Sequence, residues 1–366
     1  MKRLFHNKYQ FLAVLVCFWT FSVQADSFEM TSDMYRSFKI NENSKVEIEN
    51  KYGDVFLETW DRDSVGFSIE IIAYSEKEDY LEDLIGMVHI DFNDYSSFII
   101  AKTEIGESKG FLDKAAFKIS KDITGTKEII VNYRVFIPSY LSLSIENDFG
   151  DIFIDEYAGE ISIDLSHGDL RANLLSDVKS IKSRYGEVKI EEAHGGRFDF
   201  GFVKGAELGT LSDVFIKSTS SEIDIEEMDV LRIESRLDEI YIESLGELEG
   251  KTTMSKIHVK YLSDSADLES KYGNIKVEDL LPTASKVKMN GNNTDYNINF
   301  SEESTGSFEI QMSKNKSFNS SSDKVSVKDE IALDDKTNIL EGRLNGNGGE
   351  IKILMTTKNG DISLGM

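Results

Sequence analysis

Asp151-Ile152-Phe153-Ile154, Asp169-Leu170-Arg171-Ala172, Glu187-Val188-Lys189-Ile190 and Gly205-Ala206-Glu207-Leu208 are four copies of one short pattern, which continues at Ile223, Ile240, Ile257 and Ile275. Successive anchors are 17 or 18 residues apart, and a second apolar residue stands two places after each, ending at Val277. The residue between is mostly polar, with Phe153 and Tyr241 as exceptions. Apolar–polar–apolar alternation is a strand with one buried face. Self-similarity at a fixed period means stacked repeats.

Each repeat also holds a second apolar patch, such as Ile161/Ile163, Phe198/Phe200, Leu231/Ile233 or Val287/Met289. A single turn of chain cannot bury such a row, but a stack can, and parallel pairing between turns satisfies the backbone. The left-handed hexapeptide template needs apolar residues six apart, and Ala158 and Asp164 or Ser176 and Lys182 stand there instead. Parallel crossovers favour the right hand. The expected fold is all-β: a right-handed parallel β-solenoid of 17–18 residues per coil, with one short N-terminal amphipathic helix.

A turn precedes the anchor: Phe149-Gly150-Asp151, His167-Gly168-Asp169, Tyr185-Gly186-Glu187 and Tyr272-Gly273-Asn274, with outlying copies at Tyr52-Gly53-Asp54 and Asn359-Gly360-Asp361. Glycine is expected to supply the positive φ of a tight corner, with Asp or Asn bonding its own backbone. Where Lys204, Ser221, Asp238 and Ser255 replace the glycine, the corner is expected to loosen without loss of register.

Residues 1–25 read as a Sec signal peptide: Lys2 and Arg3, an apolar run from Phe11 to Phe21, then Val23-Gln24-Ala25. The run is too short for a membrane span of about 20 residues. Cys17, the only cysteine, lies within it, so the mature chain is expected to carry neither disulfide nor thiolate metal site. Residues 26–138 form a β segment whose helix, 76–88, covers the solenoid end; Tyr80, Leu81, Leu84, Ile85 and Val88 give its apolar stripe. The repeats occupy 139–300, and 301–366 form a closing β segment in which the Ser-, Lys- and Asp-rich run 313–338 reads as a mobile excursion.

Losing the signal removes three basic residues and no acidic one, taking the net charge from −25 to −28. Such acidity excludes nucleic acid as a partner and argues against anionic lipid. The carboxylate column Asp151, Asp169, Glu187 could hold calcium, which takes six to eight oxygens. Gly205, Lys256 and Asn274 interrupt that column and favour a solvated corner. The corner aromatics Tyr52, Phe149, Tyr185 and Tyr272 either pack over neighbouring corners or stack on sugars. His89, His167, His194 and His258 fall in different columns, which argues against a shared metal. No nucleophile-elbow, zincin or phosphate-loop motif is present.

Asn50-Lys51-Tyr52-Gly53-Asp54-Val55, Tyr133-Arg134-Val135-Phe136-Ile137-Pro138, the Lys-Tyr-Gly corners and the closing Gly346-Asn347-Gly348-Gly349 together resemble the bacterial putative-adhesin family of exported β-solenoids, in its Bacteroidetes form. The resemblance implies an envelope protein of unassigned activity, linked to envelope stress, with no catalytic residues to carry over. The expectation is a non-catalytic, exported, adhesin-like binding or scaffolding protein of the periplasm or cell surface. Its partner would be an envelope protein or glycan, and it would need no cofactor. The alternative is a polysaccharide-active lyase or glycosidase on the same scaffold, which needs a cleft that coils this short leave little chain to build.

Overall fold

The eight anchors form one continuous parallel ladder. Ile152 pairs with Leu170, and the register passes through Val188, Ala206, Ile223, Ile240 and Ile257 to Ile275. All eight are buried. The computed structural model describes residues 27–95, 97–106, 128–320, 323–346 and 349–366; the expected signal peptide lies outside the described residues. A second parallel ladder carries the other apolar row, from Leu143 and Ile161 through Val178, and from Leu231 through Leu248 and Ala266 to Val287. Between the ladders lies a single core, mostly aliphatic, with buried rings such as Tyr157, Phe198, Phe200 and Tyr296. Nearly all the described chain is strand, with one short helix.

Where a strand runs unbroken past a bend, as Leu170–Arg184 and Glu222–Arg236 do, it takes part in both ladders. Between these two, shorter strands carry each ladder separately, and the pairing closes into a ring of six parallel strands.

The ladders extend beyond the array, but not in chain order. Val55 pairs with Ile152 on one side and Tyr133 on the other. The layer containing 45–59 is therefore inserted between the layer of strands Phe98–Ile105 and Glu128–Ile137 and the first repeat. The far end mirrors this arrangement. Tyr296 pairs with Ile362, which pairs in turn with Phe318, so the last segment of chain slots in ahead of 306–320.

An outermost parallel strand would leave its edge unpaired. Antiparallel strands occupy those edges at both ends. Ser64–Ser75 pairs with Glu128–Ile137 and with Phe28–Lys39. Thr337–Leu344 pairs with Gly306–Ser313 and with Val325–Ala332. The run expected to be mobile thus contains two strands, Phe318–Ser320 and Val325–Ala332, which half-buried Phe318 and buried Val325 anchor on the core within a polar composition.

The helix covers Leu81–Met87 behind a 3-10 turn at Glu78–Tyr80, shorter than the expected 76–88. Val88 is already paired across to Ile105, and that strand ends the helix. Leu81 and Leu84 are buried. The helix packs on Ser64–Ser75 and Phe28–Lys39.

Candidate functional site

The corner before each anchor is built by a rule different from the one expected. The residue with positive φ is not the glycine but its predecessor: Tyr52 at 63°, Phe149 at 63°, His167 and Tyr185 at 59°, and Tyr272 at 55°. That conformation turns the amide along the stack. Phe149 N donates to Ser166 O, His167 N to Arg184 O, and Tyr272 N to Asn292 O.

The glycine is required for close approach. A β-carbon on Gly150 would lie 2.0 Å from Gly53 O, one on Gly168 1.9 Å from Gly150 O, and one on Gly186 1.9 Å from Gly168 O. Corners are therefore in backbone contact wherever glycine stands. Where it is replaced, the corner does not simply loosen; side chains bond across it. Asp238 accepts from Ser221 N at 2.8 Å, from Arg236 N at 2.9 Å and from Ser235 Oγ at 2.6 Å. Ser255 Oγ accepts from Asp238 N at 3.3 Å and lies 2.8 Å from Ser235 Oγ. Asp238 is 2% exposed, and burial pushes its carboxyl above the usual range while these donors pull it back.

The acidic column has a similar occupation. Asp54 Oδ1 accepts from Asp151 N, Asp151 Oδ1 from Asp169 N, and Asp169 Oδ1 from Glu187 N, all at 2.8–2.9 Å. One oxygen of each aspartate thus ties its own corner to the next. Among the described residues no three His, Cys, Asp or Glu side chains converge on a point that could hold a metal. His167 lies in the corner column, His194 Nδ1 meets Ser212 Oγ, and His258 Nε2 meets Glu278 Oε1.

Tyr52, Phe149 and Tyr185 are brought together in one stack with His167 and Phe202. Ring centroids are 5.4, 4.7, 4.9 and 5.2 Å apart in order, and planes are within 21° of parallel. Tyr272 lies farther along the same column and stacks on no other ring among the described residues. Between them stand Leu237 and Met254, also exposed and also at positive φ. The result is an apolar ridge along one corner, interrupted once, by Ser220 between Phe202 and Leu237.

Phe202, Leu237 and Met254 were not singled out from the sequence. Leu237 and Met254 do stand three residues before Ile240 and Ile257, the place of Tyr185 before Val188, so the signal was position without aromaticity. Phe202 stands four residues before Ala206 because that corner carries an extra residue, Val203.

A bulky side chain at positive φ costs about 1–3 kcal/mol, and Asn or Gly would be cheaper there. Asn does occupy the equivalent corners Asn293 and Asn359 near the end of the stack. Stacking, at about 0.5–1.5 kcal/mol per pair, offsets the strain for the five rings. For Leu237, Met254 and Tyr272 no ring stack does so.

The outward faces beside the ridge are polar, with ion pairs across adjacent layers such as Lys182–Asp164, Lys189–Glu207 and Lys251–Glu269. These pairs are largely exposed and contribute about 0–1 kcal/mol each. No helix among the described residues is long and apolar enough to cross a membrane.

No family model and no curated protein matches the chain. Solved structures do. A putative adhesin from Parabacteroides distasonis ATCC 8503 is 9% identical with a TM-score of 0.34, over 91% of this chain and 97% of that one. A putative cell adhesion protein from Clostridium sporogenes ATCC 15579 is 9% identical with a TM-score of 0.16, over 92% and 99%. A putative lipid binding protein from Parabacteroides distasonis ATCC 8503 is 10% identical with a TM-score of 0.28, over 91% and 96%. The structural neighbours of this chain thus include putative adhesins of Bacteroidetes and Clostridium, the kind of protein its corner motifs resemble.

Proposed function

We propose that this chain is a non-catalytic, exported binding or scaffolding protein, a right-handed β-solenoid whose corner ridge is its contact face toward the cell envelope. The observation that carries the reading is the ridge itself. Tyr185 is 51% exposed and Tyr272 56%, both held at a backbone conformation that disfavours them. Packing explains the stacked rings but leaves Leu237, Met254 and Tyr272 without a structural reason. A contact surface supplies one, since contiguous exposed apolar residues mark interaction sites. The conspicuous carboxylates of the column bind backbone amides, which suits a rod better than a reaction centre.

The corner geometry gives a test that separates binding from folding. Asn relieves strain at positive φ, so Tyr272→Asn and Leu237→Asn are expected to leave the melting temperature unchanged or slightly raised. Tyr185→Asn loses two stacking partners and gains the backbone relief, for a net loss of about 1 kcal/mol or less. A triple Leu237→Asn/Met254→Asn/Tyr272→Asn variant should keep its fold and lose retention on isolated envelope material. Retention equal to that of the unaltered chain would overturn the ridge as the contact face.

A further inference from the structure

Four successive layers near the C-terminal end of the ridge carry a shallow groove on the outward face of the second ladder. In register along it run Thr253, Lys271, Asn292 and Lys358, with Lys251, Glu269, Asn290 and Thr356 in the neighbouring column. Every side chain lining the groove is polar, and Glu269 is its only carboxylate. Glu269 is engaged by Lys251 at 3.2 Å. Lys271 and Lys358 have no ion-pair partner among the described residues, in a chain with net charge −25. Tyr272, the ridge residue whose ring is not stacked, follows Lys271 directly.

We infer that this groove binds an acidic polysaccharide, one whose sugars bear carboxylates. The inference rests on the reading of the ridge as a contact face and names the ligand class of one part of it. Lysine ammonium groups two layers apart are separated by about 9.6 Å along the stack, the span of a disaccharide in an extended glycan. A chain lying along the groove would place a carboxylate at Lys271 and the next-but-one at Lys358. Asn292 would meet hydroxyls between them and Thr253 those beyond Lys271, with the exposed ring of Tyr272 beside the groove. The acidity of the rest of the surface does not forbid this, because charges beyond about 8 Å are largely screened at physiological ionic strength.

The test uses the mature chain with polygalacturonate and, as its neutral counterpart, fully methyl-esterified polygalacturonate. Retention is expected on the acid form only and should weaken with added salt. Lys271→Gln/Lys358→Gln is expected to weaken it by about 25-fold, roughly fivefold per lysine, with an unchanged melting temperature. Absence of binding to the acid form, or equal binding to both forms, overturns the inference. So does a double variant whose oligomeric state changes while its polygalacturonate binding does not, which would reveal self-association through the lysines. If envelope retention still depends on Leu237, Met254 and Tyr272 while polygalacturonate fails, only the ligand class falls. If the ridge variants retain envelope material fully, the contact-face reading falls first.

Discussion

Gly168→Ala is expected to destabilise the protein by about 3 kcal/mol or more, the upper end of what forced overpacking produces. The added methyl would sit 1.9 Å from Gly150 O, so one corner must move off the next. A corner in mid-stack cannot shift alone, because His167 N is bonded to the layer on one side and the Gly150 backbone lies against the other. Gly205→Ala is the control. Nothing lies within 4 Å of its β-carbon position, and it is not among the glycines at positive φ. That substitution should be neutral or stabilise by about 0.4–1 kcal/mol through the unfolded chain. Equilibrium denaturation of the pair checks both. Similar midpoints would contradict backbone contact between corners.

Asp238→Ala should also cost about 3 kcal/mol or more, since it strands three donors that now share one carboxylate, two of them buried and the third partly so. Asp238→Asn should cost less, about 1–3 kcal/mol. Its amide nitrogen must face either Ser221 N–H or Arg236 N–H, whichever way it is turned. The difference depends on pH with a definite sign. Burial raises the carboxyl of Asp238 in the folded state, so the fold holds that proton to a higher pH than the unfolded chain does. The stability from this group is complete below the ordinary aspartate range and is lost as pH rises through the raised folded value. The penalty of Asp238→Asn relative to the unaltered chain should therefore shrink from about pH 4 toward neutrality. A penalty that grows over that range would contradict a carboxyl raised by burial.

Much of the architecture was legible because inward aliphatics announce themselves. Ile152 to Ile275 fall into one ladder at the register that their spacing gave. The second row was harder to read. Inward Ser218, Ser235, Thr252 and Ser270 look like turn residues in sequence, yet they form a buried hydroxyl column within it, with Phe200 separating them from Ser183. Layer order at the ends was not legible. A period tells which residues occupy equivalent places, not which turn of chain is inserted beside which, and Val55 next to Ile152 is a long-range choice. The corner was misread for a local reason. A Tyr-Gly pair suggests positive φ on the glycine, whereas here the contact distance fixes glycine and the hydrogen bond fixes the tyrosine. Of the ridge, Tyr52, Phe149, Tyr185 and Tyr272 were visible as aromatics. Leu237 and Met254 share their position without sharing their chemistry.

Distance along this molecule counts layers and not residues. Spin-label distances between cysteines placed on the ridge, with Cys17 absent, measure this directly. From position 149, labels at 237, 272 and 359 should lie about 24, 34 and 43 Å away, at about 4.8 Å per layer. Position 52 should lie only two layers, about 10 Å, from position 167. Distances that fail to rise in proportion to layer number, or a large separation between positions 52 and 167, would contradict the stack and the ridge built upon it.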